Sequence, residues 1–201
     1  MNMLQGNLSE GLIDQLSQQM GGADKQQTAA AASGIMSTLM GALAKNASTP
    51  EGASSLANAL DRDHDGGILD SLTDMFSGNT QPEQARATNG TGILKHLLGG
   101  QQSGAVDMIS KMSGLSSGNT GSLMGLLAPM IMGTLGKAKK QQGLDVGGIA
   151  SLLTNSVSSH SNSNPTMGLI TKFLDSDGDG SIIDDVAGIG MKMLGGLFGR
   201  K

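Results

Sequence analysis

Leu12, Ile13, Leu16 and Met20 fall on one face of a helix that opens at Ser9-Glu10 and stops at Gly21-Gly22. Apolar residues three and four apart make the face, a serine followed by an acid starts it, and paired glycines end it. The same spacing predicts a long Ala-rich helix over 26–45, with Ile35, Leu39, Met40 and Leu43 facing inward. Pro50-Glu51 opens a third helix reaching Leu60, and a fourth spans 68–76. Residues 77–91 are polar and carry Gly78, Pro82, Asn89 and Gly90, the composition of a linker. Beyond it, helices are expected over 93–98, 106–112, 122–140 with a bend at Pro129, 146–153, 165–174 and 182–198. No segment alternates convincingly at the strand period, so the expected fold class is all-α.

The helical pattern repeats. Residues 35–45 resemble 127–137, and 16–21 resemble 109–114 at nearly the same offset. Each copy continues with a short apolar helix, an acidic loop and a further helix. The reading is a duplicated helical unit of three helices, loop and helix, with two helix–loop–helix calcium-type loops. The first repeat covers 1–77 with its acidic loop at 61–70, a linker covers 78–91, and the second repeat covers 92–201 with its loop at 175–184. The second copy carries an insertion of roughly 20 residues, including the Ser/Asn-rich run 155–164, which places His160 in a polar linker.

The two acidic loops share one pattern. Asp61, Asp63 and Asp65 alternate, Gly66 follows, then Gly67, Ile68 and Asp70. Asp175, Asp177 and Asp179 alternate in the same way, followed by Gly180, Ser181, Ile182 and Asp184. Alternating carboxylates and a turning glycine are the front half of an EF-hand calcium loop, in which positions 1, 3 and 5 give side-chain oxygens and position 7 a carbonyl. The carbonyls here belong to Gly67 and Ser181, and the following isoleucines would tether each loop to the core. Position 12, where a bidentate Glu normally closes the site, holds Leu72 or Val186. The nearest acids are Asp70 and Asp184, with Asp74 and Asp185 less favoured. The loops thus resemble the shortened bacterial EF-hand-like type, closed by an acid at position 10, and the resemblance implies calcium binding by these aspartates. An Asp is shorter than a Glu, so magnesium stays a competing ion. Asp/Gly-rich turns also cap helices without any metal, but two copies with the same Gly and Ile, each between helices, favour the ion.

Composition narrows the rest. The net charge of −4 is concentrated in the loops, leaving a scattered basic surplus elsewhere. The densest basic run, 137–140, reads as a solvated helix end, and with no Trp or Tyr to stack on bases, nucleic acid is not an expected partner. The absence of Cys removes disulfides and thiolate metal sites. Three Phe and 14 Met imply a core of Leu, Ile, Met and Ala, with modest stability before metal binds. Residues 123–135 are strongly apolar but too short to span a membrane and are interrupted by Pro129, so a buried helix is expected there. The opening residues show no signal peptide, and a cytoplasmic location is the expectation. Met36, Met40, Met130 and Met132 read as core rather than a partner groove, and the tail 191–201 as packing rather than a membrane-surface anchor. His64 sits at a loop position that points away from the ion, and His96 lies in a helical run. No triad, zinc spacing or phosphate loop emerges, so no enzyme is expected.

The segments Gly92-Ile93-Leu94-Lys95-His96-Leu97-Leu98-Gly99-Gly100 and Leu126-Leu127-Ala128-Pro129-Met130-Ile131-Met132-Gly133 resemble a bacterial family known as domain of unknown function 937. The loop from Leu60-Asp61 to Asp70 fits it as well. The resemblance implies a bacterial, all-helical protein and no established activity. The leading expectation is a non-enzymatic calcium-binding helical protein with two calcium sites that stabilise or regulate helix packing. Its rival is a structural protein that self-associates, or docks a protein partner, through Met/Gly-rich helices, with calcium only a staple.

Overall fold

Side-chain caps set where the helices begin. A computed structural model describes residues 10–63 and 89–161. Over them the chain forms α1 (Glu10–Gln19), α2 (Lys25–Asn46), α3 (Pro50–Arg62), α4 (Gly90–Leu98), α5 (Gln102–Ser113), α6 (Ser117–Gln142) and α7 (Val146–Ser161), with a 3-10 turn at Gly99–Gln101. No strand occurs among the described residues. In each of five first turns one orphan N–H finds a side-chain acceptor. Asp24 accepts from Gln27 at 2.9 Å, Thr49 from Gly52 at 3.1 Å, Asn89 from Gly92 at 2.9 Å, Ser116 from Asn119 at 3.3 Å and Asp145 from Gly148 at 2.7 Å. Gly114 and Gly143 close α5 and α6 in the left-handed conformation, at φ 75° and 60°.

Helices α2 and α6 form the centre. Through Gly34, Ile35 and 37–44, α2 is buried on every face, and α6 is buried through Leu123, Met124, 127–133, Leu135 and Gly136. The inward face expected at Ile35, Leu39, Met40 and Leu43 is therefore one part of a wholly enclosed segment. Each of the other helices packs against α2, and α3, α4 and α5 also pack against α6. Buried residues from Ile13 to Val157 make one continuous cluster, so helices from both halves of the sequence share a core. Among the described residues its large side chains are Leu, Ile and Met; the three Phe lie outside them. Met40, Met130 and Met132 are buried in it and Met36 partly so, as core methionines. Two buried threonines avoid orphan hydroxyls by bonding back one turn: Thr38 donates to the Gly34 carbonyl and Thr28 to that of Asp24, each at 2.8 Å.

The turn between α1 and α2 and the turn between α5 and α6 are built alike. Ser17 donates to the Ala23 carbonyl, and Ser110 to the Leu115 carbonyl at 2.6 Å. Gly21 and Gly114 both take positive φ, 73° and 75°. Thr28 and Thr120 are both fully buried, and their N–H groups close onto Asp24 and Ser116 at 2.9 and 2.8 Å.

Three local expectations change. The helix expected over 146–153 continues to Ser161, so the run from Asn155 through His160 is helical rather than a linker. Val157 is 6% exposed in the core, and Thr154 and Ser156 return their hydroxyls to the carbonyls of Ala150 and Leu152. Core burial and satisfied hydroxyls outweigh weak helix propensity. Helix α6 begins at Ser117 rather than 122, because Ser116 caps it. Gly90 and Thr91, expected in the linker, form the first turn of α4.

Pro129 sits inside α6 without ending it. It has no N–H to offer the Gly125 carbonyl. The first turn of α4 lies against that same carbonyl, at Gly90. A methyl group on Gly90 would come within 2.7 Å of the Gly125 carbonyl carbon and closer still to its oxygen. Only hydrogen fits there, so the bare first residue of α4 sets how near α4 and α6 can come.

Candidate metal centre

Helix α3 carries the start of the first acidic loop. Thr49 caps it, Pro50 occupies its first turn, and Ala53, Leu56, Ala57 and Leu60 bury one stripe at helical spacing. Leu60 is 1% exposed and pins the end of α3 to the core. The next residues therefore emerge at the surface from a fixed base. Asp61 is the penultimate residue of α3, and Asp63 is its C-cap, with its N–H on the Ala59 carbonyl at 2.9 Å.

Both carboxylates have cationic partners from this chain. The Lys139 ammonium, from the last turn of α6, donates to Asp61 Oδ1. The Lys139 side chain is only 16% exposed, whereas that of Asp61 is 63% exposed. Arg62 grips Asp63 Oδ2 through Nε at 3.1 Å and a terminal nitrogen at 3.0 Å. The sequence leads to the expectation that Lys139 is a solvated member of a basic run, and the structure corrects this. The lysine stem is packed and its charge is aimed at α3. Nothing in the local sequence signals this pair, whose members stand 78 positions apart.

Asp65, Gly67 and Asp70 of the first loop lie outside the described residues, as do Asp175, Asp177, Asp179, Ser181 and Asp184 of the second. The other parts of the first repeat, the linker and the second repeat that fall on 1–9, 64–88 and 162–201 lie outside them too. Among the described residues, no three His, Cys, Asp or Glu side chains gather where a metal ion could be held. Asp61 and Asp63 offer hard carboxylate oxygens, the donor type that calcium and magnesium take and soft metals do not. His96 is exposed on α4. No described helix is long and apolar enough to cross a membrane.

One comparison identifies the group to which the chain is related. The family described as bacterial protein of unknown function (DUF937) matches residues 2–138. The chain belongs to this family. The matched region holds the first acidic loop and all of α1 to α5, and stops within α6, before α7 and the second loop. No curated protein and no solved structure matches the chain.

Proposed function

We propose that this member of the family is a non-enzymatic calcium-binding helical protein, whose ions brace or regulate the joints between helices. The observation that carries the reading is the position of Asp61 and Asp63. They stand where α3 leaves the core, and they are the first two carboxylates of a D-x-D-x-D-G-x-I-x-D pattern that the chain contains twice. In a calcium loop the incoming helix ends at these positions and its side chains supply the first oxygens. Asp61, Asp63, Asp65, Asp70 and the Gly67 carbonyl would hold one ion. Asp175, Asp177, Asp179, Asp184 and the Ser181 carbonyl would hold the other. A bound ion would neutralise carboxylates that repel one another without it.

The matched turns of α1–α2 and α5–α6 support a duplicated unit, in which each copy carries one loop. The rival reading, a self-associating structural protein, draws less support from the surface. Among the described residues Met112, 40% exposed, is the large apolar side chain left in the open.

Calorimetric titration of EDTA-stripped protein with calcium and then magnesium tests the proposal. Wild type is expected to bind two calcium ions, and the double variant Asp61→Ala/Asp175→Ala none. Light scattering with and without calcium separates the rival, which requires a mass above that of a single chain. The absence of any heat, together with an unchanged melting temperature on adding calcium, would refute the calcium reading.

A further inference from the structure

Helix α6 carries a weak point at its middle. Pro129 brings no N–H to the Gly125 carbonyl, so one rung of a 26-residue helix is missing. A proline inside a helix is a common cause of a sharp kink. Yet α6 runs on unbroken from Ser117 to Gln142.

The first residue of α4 lies on the carbonyl that Pro129 leaves free. The direction in which an alanine methyl would leave Gly90 runs into the Gly125 oxygen. In glycine a hydrogen takes that direction. A Cα–H of Gly90 therefore donates toward the oxygen, the arrangement of a weak hydrogen bond between helices. The other end of α4 is tied down as well. Asn46, the last residue of α2, donates from Nδ2 to the Leu97 carbonyl at 3.3 Å and to the Ala42 carbonyl of its own helix at 2.8 Å. Between the two ties Leu94 and Leu98 are buried. Helix α4 is thus held by its backbone at both ends, to α6 at one and to α2 at the other.

We propose that α4 is a clip over a proline hinge in α6. Seated, it fills the carbonyl that Pro129 leaves free and keeps the two halves of α6 in one helix. Lifted, it leaves that carbonyl unpaired and lets α6 open around Pro129, so movement of α4 reaches a helix at the centre of the fold. No ion is involved, and the inference stands apart from the calcium reading.

Native-state amide exchange, followed by NMR on the full chain, tests it. The hinge amides are those of Met130, Ile131, Met132 and Gly133, whose helical acceptors are the carbonyls of 126–129. The amides of 39–43, enclosed in α2, report global opening. Gly90→Ala lifts the end of α4. It is expected to speed exchange at the hinge about two- to fivefold more than at 39–43, the equivalent of one such weak bond. Loss of stability alone moves both groups together. Adding Pro129→Ala gives the Gly125 carbonyl a helical N–H and is expected to return the ratio to the wild-type value. Asn46→Ala frees the far end of α4 without crowding α6. It replaces Gly90→Ala if circular dichroism shows that variant unfolded, with the same shift and the same rescue expected. An unchanged ratio, or an excess that persists after Pro129→Ala, overturns the proposal.

Discussion

Replacing Gly90 with alanine tests the close joint between α4 and α6. The new methyl group would lie 2.7 Å from the carbonyl carbon of Gly125 and 3.0 Å from its Cα, nearer still to the carbonyl oxygen. All three atoms are backbone, so no rotamer change relieves the clash. Carbon atoms rest at about 3.5–4.0 Å, so α4 must retreat from α6 by about 1 Å or more. Leu94 and Leu98, 2% and 4% exposed, travel with it and lose close packing. Overpacking of this kind costs about 1–3 kcal/mol. Alanine regains little helix propensity at the first position of a helix, so a net loss of about 2 kcal/mol is expected, a fall of about 4–8 °C in Tm for a chain of this size. Thermal melts followed by circular dichroism at the helix band measure it. Gly121→Ala is the control, because a methyl group there meets nothing within 4 Å. It sits inside α6 and is expected to stabilise by about 0.5–1 kcal/mol. Gly90→Ala melting at or above wild type would refute the argument that close backbone approach requires glycine at this position.

Other substitutions follow from the same structure. Thr28 and Thr120 are equally buried, but Thr28 donates to the Asp24 carbonyl, whereas the Thr120 hydroxyl has no hydrogen-bond partner. Thr28→Val is expected to destabilise by about 1 kcal/mol and Thr120→Val to stabilise by a similar amount, which denaturant titration would resolve as midpoints moving in opposite directions. Gly52→Ala would drive a methyl group against the Asn46 carbonyl and to 2.9 Å from the capping Thr49 oxygen. A loss of about 1–3 kcal/mol in the same titration is expected, and a midpoint equal to wild type would refute it. In metal-free protein, Asp61→Ala should cost no more than about 1 kcal/mol, since one partner of its ion pair is largely exposed. A larger loss would mean that the pair braces the fold before any ion binds.

Local chemistry made much of this protein legible from its residues. Ser9-Glu10, Gly21-Gly22 and Pro50-Glu51 mark helix ends, and α1, α2 and α3 lie close to where those signals put them. Such marks act within one turn, through caps and backbone conformation, so a linear reading detects them. The acidic pattern at 61–70 and 175–184 is equally local, which is why it could be read before any contact was known. The helix through Asn155 to Ser161 was not legible, because polar residues there take helical form only with Val157 held in the core. The enclosure of α2 and α6 was hidden for a related reason. A helix covered on every side has no polar face to betray its orientation, and neighbours distant in sequence decide that it is covered. The same holds at two contacts between helices. Gly90 needs to be bare only because the Gly125 carbonyl lies against it, and Lys139 is a partner of Asp61 only because folding brings α6 beside α3. Sequence alone determined the ends of α1, α2 and α3 to within a few residues and the carboxylate spacing, each set by local forces. Tertiary structure decided which surfaces are enclosed and which charges meet, because those interactions exist only between segments that the chain itself keeps far apart.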